Sequence, residues 1–255
     1  ARWIYAEYLV CPLFTSKGLK DWKSSIRIWE TLDNQIVGIV SSENPDQNVF
    51  LQIHPKYRFI EKEMIEWAEI NLAVFNPQEE KKQIAIWTND SDGIRKEMLS
   101  LLGYKKGDEC EYLNVFYFDK KFQEYNLPDS YTVKSMSDGI DILDKCNCAE
   151  AAFNSIDLTS SIYIKMQSAP LYRKDLDICV LNDEGKVVSF CTIWYDDIHK
   201  IAYYEPVGTH PTYQKKGLGK ALLVEGLKRL DKIGAKAVYV GAWGENRKKF
   251  YNSAG

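Results

Sequence analysis

The chain has 255 residues, 45% hydrophobic, 27% charged and 13% aromatic, with a net charge of −3 at pH 7. That length accommodates one large or two ordinary domains of a globular protein, expected to be soluble. The charge balance excludes a nucleic-acid footprint, no run approaches the roughly 20 apolar residues of a membrane span, and no secretory signal opens the sequence. Six cysteines (Cys11, Cys110, Cys146, Cys148, Cys179 and Cys191) show no Cys-x-x-Cys spacing and are accompanied by three histidines, which argues against a metal site. Scattered thiols fit a reducing, cytoplasmic compartment, and Cys179 and Cys191 lie in apolar strand-like runs as buried packing residues.

In chain order, Ile26 to Thr31 and Gln35 to Ser41 predict a hairpin about Asp33-Asn34. A strand-like run then ends in Gln52-Ile53-His54-Pro55-Lys56-Tyr57-Arg58. An amphipathic helix follows over Glu63 to Leu72, then a strand over Gln83 to Trp87 and a short helix closing on Leu102-Gly103-Tyr104. Pro128-Asp129 marks a turn within Tyr125 to Ser130. Beyond it the same order returns. Leu176 to Leu181 and Val187 to Tyr195 predict a hairpin about Asp183-Glu184-Gly185, and a strand over Ile201 to Thr209 runs into His210-Pro211-Thr212-Tyr213-Gln214. A helix over Ala221 to Ile233, a strand over Ala237 to Val240 and a short helix closing on Ala254-Gly255 complete the copy. The expectation is two copies of one α/β unit, residues 1–126 and 127–255. His54 and His210 each precede proline at the matching turn, which assigns them to the turn rather than to catalysis.

The segment between the second copy's strand and helix, Gln214-Lys215-Lys216-Gly217-Leu218-Gly219, carries the chemistry. Glycines at the mouth of a helix let the backbone approach a ligand, where the first N–H groups lack partners and the dipole is positive. That combination binds phosphate. A Walker loop needs Gly where Gln214 stands and Ser or Thr where Ala221 stands, and a dinucleotide fingerprint needs a small residue where Leu222 stands. Both are excluded.

The remaining pattern, Gln/Arg-x-x-Gly-x-Gly, resembles that of the GNAT superfamily of acyl-CoA-dependent N-acyltransferases. The resemblance spans about Asp175 to Gly255 and includes Glu205-Pro206-Val207-Gly208-Thr209 before the loop and Asn246 to Gly255 after it. It implies two mixed-sheet α/β (α+β) domains in tandem, the sheet of the second splayed between its fourth and fifth strands. It implies that Gln214, Lys215, Lys216, Gly217, Leu218, Gly219 and Lys220 hold the coenzyme A pyrophosphate, and that Val207 and Thr209 meet the cofactor through their backbones. Asn246 matches the residue that caps the last helix or bonds the pantetheine. Tyr251 matches the general acid for the departing thiolate, with packing as its alternative. Glu205 is a general base, an anchor for the acceptor's ammonium, or a structural carboxylate. Tyr203, two residues earlier, shares its face unless Pro206 and Gly208 introduce a bulge.

The implied reaction is acetyl transfer from acetyl-CoA to the primary amine of a small acceptor, without metal, nucleic acid or membrane. The alternative is an acyl-CoA-binding or regulatory module without catalysis; a protein or peptide amine also stays open as acceptor. Phe153 to Tyr172 would shape the acceptor side, with Tyr163, Tyr172, Trp194 and Trp243 as pocket lining or as core. In the first copy Glu61 and Glu63 stand for Gly217 and Gly219, and Leu99 and Ile94 for Tyr251 and Asn246, so that copy is expected to be structural or acceptor-shaping. The family pattern continues past Ala254-Gly255 with an aromatic residue and a strand, so the second copy is expected to lack its last strand here, as the first lacks its opening.

Overall fold

A computed structural model describes residues 22–42, 48–154 and 158–255, so Cys11 lies outside the described residues. Contacts divide the described chain into two units, with the division between Asp108 and Glu109.

The first unit contains β1 (Ile26–Glu30), β2 (Ile36–Ser42), β3 (Asn48–Ile53), α1 (Glu61–Leu72), β4 (Val74–Asn76), β5 (Lys81–Gln83), β6 (Ala85–Trp87) and α2 (Gly93–Leu101). The order β1-β2-β3-β6 is antiparallel except for the parallel β3–β6 pair. Glu61, Met64, Ile65 and Ala68 recur at helical spacing on the buried face of α1. Its apolar members join Val40, Val49, Leu51 and Leu99 in one core. The strand expected over Gln83 to Trp87 is divided. Ile84 packs on that core, leaving β5 to pair with β4 and β6 with β3.

The second unit contains β7 (Glu111–Tyr117), β8 (Thr132–Ser135), α3 (Ile142–Phe153), α4 (Ser160–Gln167), β9 (Asp177–Leu181), β10 (Val187–Asp196), β11 (Ile201–Thr209), α5 (Leu218–Lys232), β12 (Ala237–Trp243) and α6 (Glu245–Asn252). Its sheet runs β7-β12-β11-β10-β9-β8, antiparallel except for β11–β12. β9 and β10 are buried on both faces. Ile178, Val180, Cys191 and Ile193 join Leu222, Leu227 and Leu230 of α5 in one core, whereas Phe190 meets Phe153 of α3 edge-on at 5.9 Å.

Two expectations about organisation change. β7 lies before residue 127 yet belongs to the second sheet, in register with β12 from Tyr117↔Ala237 to Glu111↔Trp243. It covers the β12 edge that β11 does not use, satisfying backbone groups that an open edge leaves unpaired. The boundary is therefore at Asp108–Glu109 rather than 126/127, and the turn at Pro128, closed by the Tyr131 N–H at 3.0 Å, is internal to the second unit. Phe118, Phe122, Tyr125 and Leu127 of that segment pack against the core beside α5.

The internal repeat is geometric as well as sequential. The imidazoles of His54 and His210 each accept the N–H two residues on at 3.3 Å, and each meets its tyrosine, Tyr57 or Tyr213, edge-on. Both are turn residues. Cys179 and Cys191 are fully buried, and burial pushes the Cys179 thiol up to about 12. No described helix is long and apolar enough to cross a membrane.

Gly226 in α5 is fixed by packing. A Cβ there would lie 2.8 Å from Ile193 Cδ1 and collide with the hydroxyl of Tyr204, which is buried and donates to Leu223 O at 2.8 Å. Alanine gains about 1 kcal/mol of helix propensity but overpacks the core at about 1–3 kcal/mol. Gly226→Ala is therefore expected to lower the urea midpoint; an unchanged or raised midpoint would place Tyr204 elsewhere.

Candidate active site

The site begins with a break in the sheet. β11 pairs with β12 only at Ile201↔Ala237, Ala202↔Val238 and Tyr203↔Tyr239. On its other side β11 pairs Tyr204 with Ile193 and Val207 with Cys191, so Thr192 alone faces Glu205 and Pro206. Two residues against one is a β-bulge. It reverses the alternation: Tyr204 and Val207, three apart, both join the core against α5. The Glu205–Pro206 peptide is cis, and the Glu205 carbonyl accepts the indole N–H of Trp194 at 2.7 Å.

The loop follows. Gln214 Nε2 donates to Thr209 O at 3.3 Å, Lys215 takes a left-handed φ of 60°, and Gly217, at φ 80°, is the N-cap of α5. Side chains cap α2, α3 and α4, through Asp92, Asp141 and Thr159, and α1 and α6 carry acids in their first turns. Among the described helices α5 has neither. Its positive end and first N–H groups are therefore met by neither a capping side chain nor a first-turn carboxylate. Lys215 and Lys216 are exposed, and the Lys216 and Lys220 ammoniums rest 4.9 and 5.6 Å from the rings of Tyr213 and Tyr125.

The first unit fills the equivalent place. Glu61 is completely buried at the start of α1, bonded by the Arg95 guanidinium and ion-paired with Arg58 at 2.7 Å. Arg58 also grips Asp92 through two bonds of 2.8 and 2.9 Å. An internal carboxylate occupies that helix end.

Tyr251 of α6 is half-buried against the second core, with Phe250 at 5.1 Å between ring centres. Burial, then the negative charges of Glu205 and, more weakly, Glu111, push its phenol up to about 12. Asn246 is the exposed second residue of α6, and Gly244 is the N-cap, so Asn246 does not cap this helix. Gly241 on β12 adds a residue that sequence reasoning missed. A side chain there would collide with the Glu111 carboxylate and lie 2.9 Å from the Tyr203 hydroxyl. The signal was a lone glycine inside an apolar strand, which marks close approach.

Behind Trp194 lies a buried polar network. Asp177 accepts from Lys145 and Tyr163, from Tyr172 at 2.6 Å and from Thr192 at 3.0 Å. Burial alone would lower the Lys145 pKa, but the charge of Asp177 leads the effects that outweigh it and hold the ammonium protonated. Tyr163 and Trp194 are buried and take the core reading, while Trp243 is exposed. Part of the expected acceptor segment, residues 155–157, lies outside the described residues. Among the described residues no group of three His, Cys, Asp or Glu could hold a metal ion.

Residues 147–255 match the sequence model of the Acetyltransferase (GNAT) family. That segment is a GNAT-family domain. The whole chain resembles a GCN5-related N-acetyltransferase from Sphaerobacter thermophilus, with a TM-score of 0.64 and 17% identity over 92% of this chain and 77% of that one. It resembles a tandem GNAT protein from the clavulanic acid biosynthesis pathway at 0.62 and 10%, over 98% and 88%. A GCN5-related N-acetyltransferase from Kribbella flavida gives 0.54 and 13%, over 95% and 89%. At these identities the likeness is one of fold, and it fits two GNAT-like mixed sheets in tandem. No curated protein matches the sequence.

The buried pair yields a stability test of the GNAT domain. Asp177→Asn leaves the Lys145 ammonium without its counter-charge and is expected to cost about 3–5 kcal/mol, whereas Lys145→Met with Asp177→Asn costs less than the single change. Denaturant unfolding of both variants measures this. A double variant less stable than the single one would show that the pair is not the determinant.

Proposed function

We propose that the second unit transfers an acetyl group from acetyl-CoA to the primary amine of a small acceptor. The observation that carries this is the uncompensated N-terminus of α5, opened by Gly217 in the loop that follows a strand that has left its neighbour. A diphosphate fits it: backbone N–H groups of Lys216 to Lys220 converge at a positive helix end, with Lys215, Lys216 and Lys220 around it. The parting of β11 and β12 leaves the backbone at Val207 and Thr209 beside the path from that loop towards Tyr251. Asn246, exposed on α6, is available to the same ligand.

Acetyl-CoA supplies an activated thioester, and the chain supplies position and proton handling. Glu205, carried in the bulge, takes the proton of the acceptor's ammonium, directly or through one water. Tyr251 serves the leaving sulfur. With its phenol near 12 and a thiol near 8.5, full proton transfer to the thiolate runs uphill, so Tyr251 stabilises the developing charge as a hydrogen-bond donor.

Two measurements test this reading. Lys216→Glu with Lys220→Glu places two anions at the loop, and calorimetric titration with coenzyme A is expected to show affinity lower by at least about 10-fold, a difference that added salt reduces. Unchanged affinity would move the cofactor elsewhere.

Tyr251→Phe removes only the hydroxyl. Turnover with acetyl-CoA and a panel of primary amines is expected to fall on the order of 10²-fold with coenzyme A affinity kept. The raised pKa keeps the hydroxyl protonated throughout the working range. Wild-type turnover therefore has no alkaline limb from Tyr251 until pH approaches about 12. A falling limb near pH 9 that Tyr251→Phe abolishes would contradict that assignment.

A further inference from the structure

A cavity in the second unit has no part in the transfer as described. It measures about 50 Å³ and is walled by Tyr204 of β11, Leu223 and Leu227 of α5, Val238 and Val240 of β12 and Tyr251 of α6. The break in the sheet sets its position. The last β11–β12 pair is Tyr203↔Tyr239, so Tyr204 and Val240 are the first residues of the two strands past the fork. Both line the cavity, and so does the phenol assigned to the leaving sulfur. The wall is mostly aliphatic and aromatic. Tyr204 spends its hydroxyl on Leu223 O at 2.8 Å and leaves its ring to the lining. An ordered water needs two to four polar partners, whereas an alkyl chain needs none.

We propose that this cavity is a subsite for the donor's acyl group, and that it extends the donor range from acetyl to short straight chains such as butanoyl. The proposal rests on the acetyl-transfer reading. A thioester with its sulfur at Tyr251 has its acyl carbons within a few bonds of that atom, and the same tyrosine walls the cavity. At about 10–15 Å³ for one water-sized sphere, the space takes about three or four such groups. That matches the three alkyl carbons of butanoyl better than the single methyl of acetyl. The reaction is otherwise unaltered. The amine nitrogen bonds the carbonyl carbon, and the C–S bond breaks with its electron pair on sulfur. Of the two protons the ammonium gives up, one passes through Glu205 to solvent and the other ends on the coenzyme A thiol, leaving the butanoyl amide.

Calorimetric titration of coenzyme A, acetyl-CoA and butanoyl-CoA into wild type reads the subsite without turnover. Butanoyl-CoA is expected to bind on the order of 10-fold more tightly than acetyl-CoA, the effect of two further methylene groups removed from water. Val240→Phe fills the cavity from β12 and is expected to lower the butanoyl-to-acetyl affinity ratio on the order of 10-fold. Leu227→Ala enlarges it from α5 and is expected to move the preferred donor towards hexanoyl-CoA. The wild-type comparison decides even where a variant does not fold. Butanoyl-CoA binding no tighter than acetyl-CoA, or a ratio that neither folded variant changes, would overturn the subsite while coenzyme A binding leaves the acetyl-transfer reading standing. Absence of coenzyme A binding would overturn both.

Discussion

The early end of pairing between β11 and β12 is the constraint on which the site depends. Past Tyr203 and Tyr239 the strands no longer share a ladder, and the bulge at Glu205–Pro206 shifts the alternation of β11 on its other side. Backbone groups that a continuous sheet would consume are released along the line between the α5 loop and Tyr251. β12, left without a partner on that side, is held by β7 on the other. The same break leaves β12 dependent on an additional edge strand, and that strand brings Glu111 over Gly241.

Two copies of one scaffold answer one electrostatic problem differently. A helix end turned towards a strand–turn junction presents unpaired N–H groups and partial positive charge. In the first unit Glu61 neutralises that end from within, and Arg58 and Arg95 balance the buried carboxylate. In the second unit nothing of the kind occurs at α5, and lysines surround the loop instead. A buried charged cluster rigidifies a unit at a desolvation cost, whereas an open end is stabilised only when an anion arrives. The electrostatic difference between the copies is written in the residues at one helix start.

Much of this was legible in the sequence because local rules decide it. The hairpins, the His-Pro turns, the glycine-opened helix and the bulge at Pro206 each follow from residues a few positions apart. What escaped depends on partners far apart in the chain. β7 reads as the end of the first copy because it follows α2, but its place is set by a vacant edge of β12, more than 100 residues on. Glu111 was invisible for the same reason, since only that pairing puts it over Gly241. Asn246 looked like a cap, and Gly244, with its positive φ of 80°, begins the helix two residues earlier. Lys145 on α3 and Asp177 on β9, 32 residues apart, are brought together only by the fold.

That buried pair sits where precision matters. Thr192 donates to Asp177 and is also the single residue opposite the bulge. Tyr172 donates to Asp177 and meets Trp194 edge-on at 6.3 Å, and Trp194 holds the Glu205 carbonyl. Two routes thus connect one buried carboxylate to the backbone that carries Glu205. An apolar core of the same volume would supply comparable stability at lower desolvation cost. It would not fix hydroxyl and indole donors at set positions behind a strand that has given up its ladder on one side. A strand whose pairing ends early has lost the hydrogen bonds that would otherwise hold its register, and directional bonds from behind restore that register.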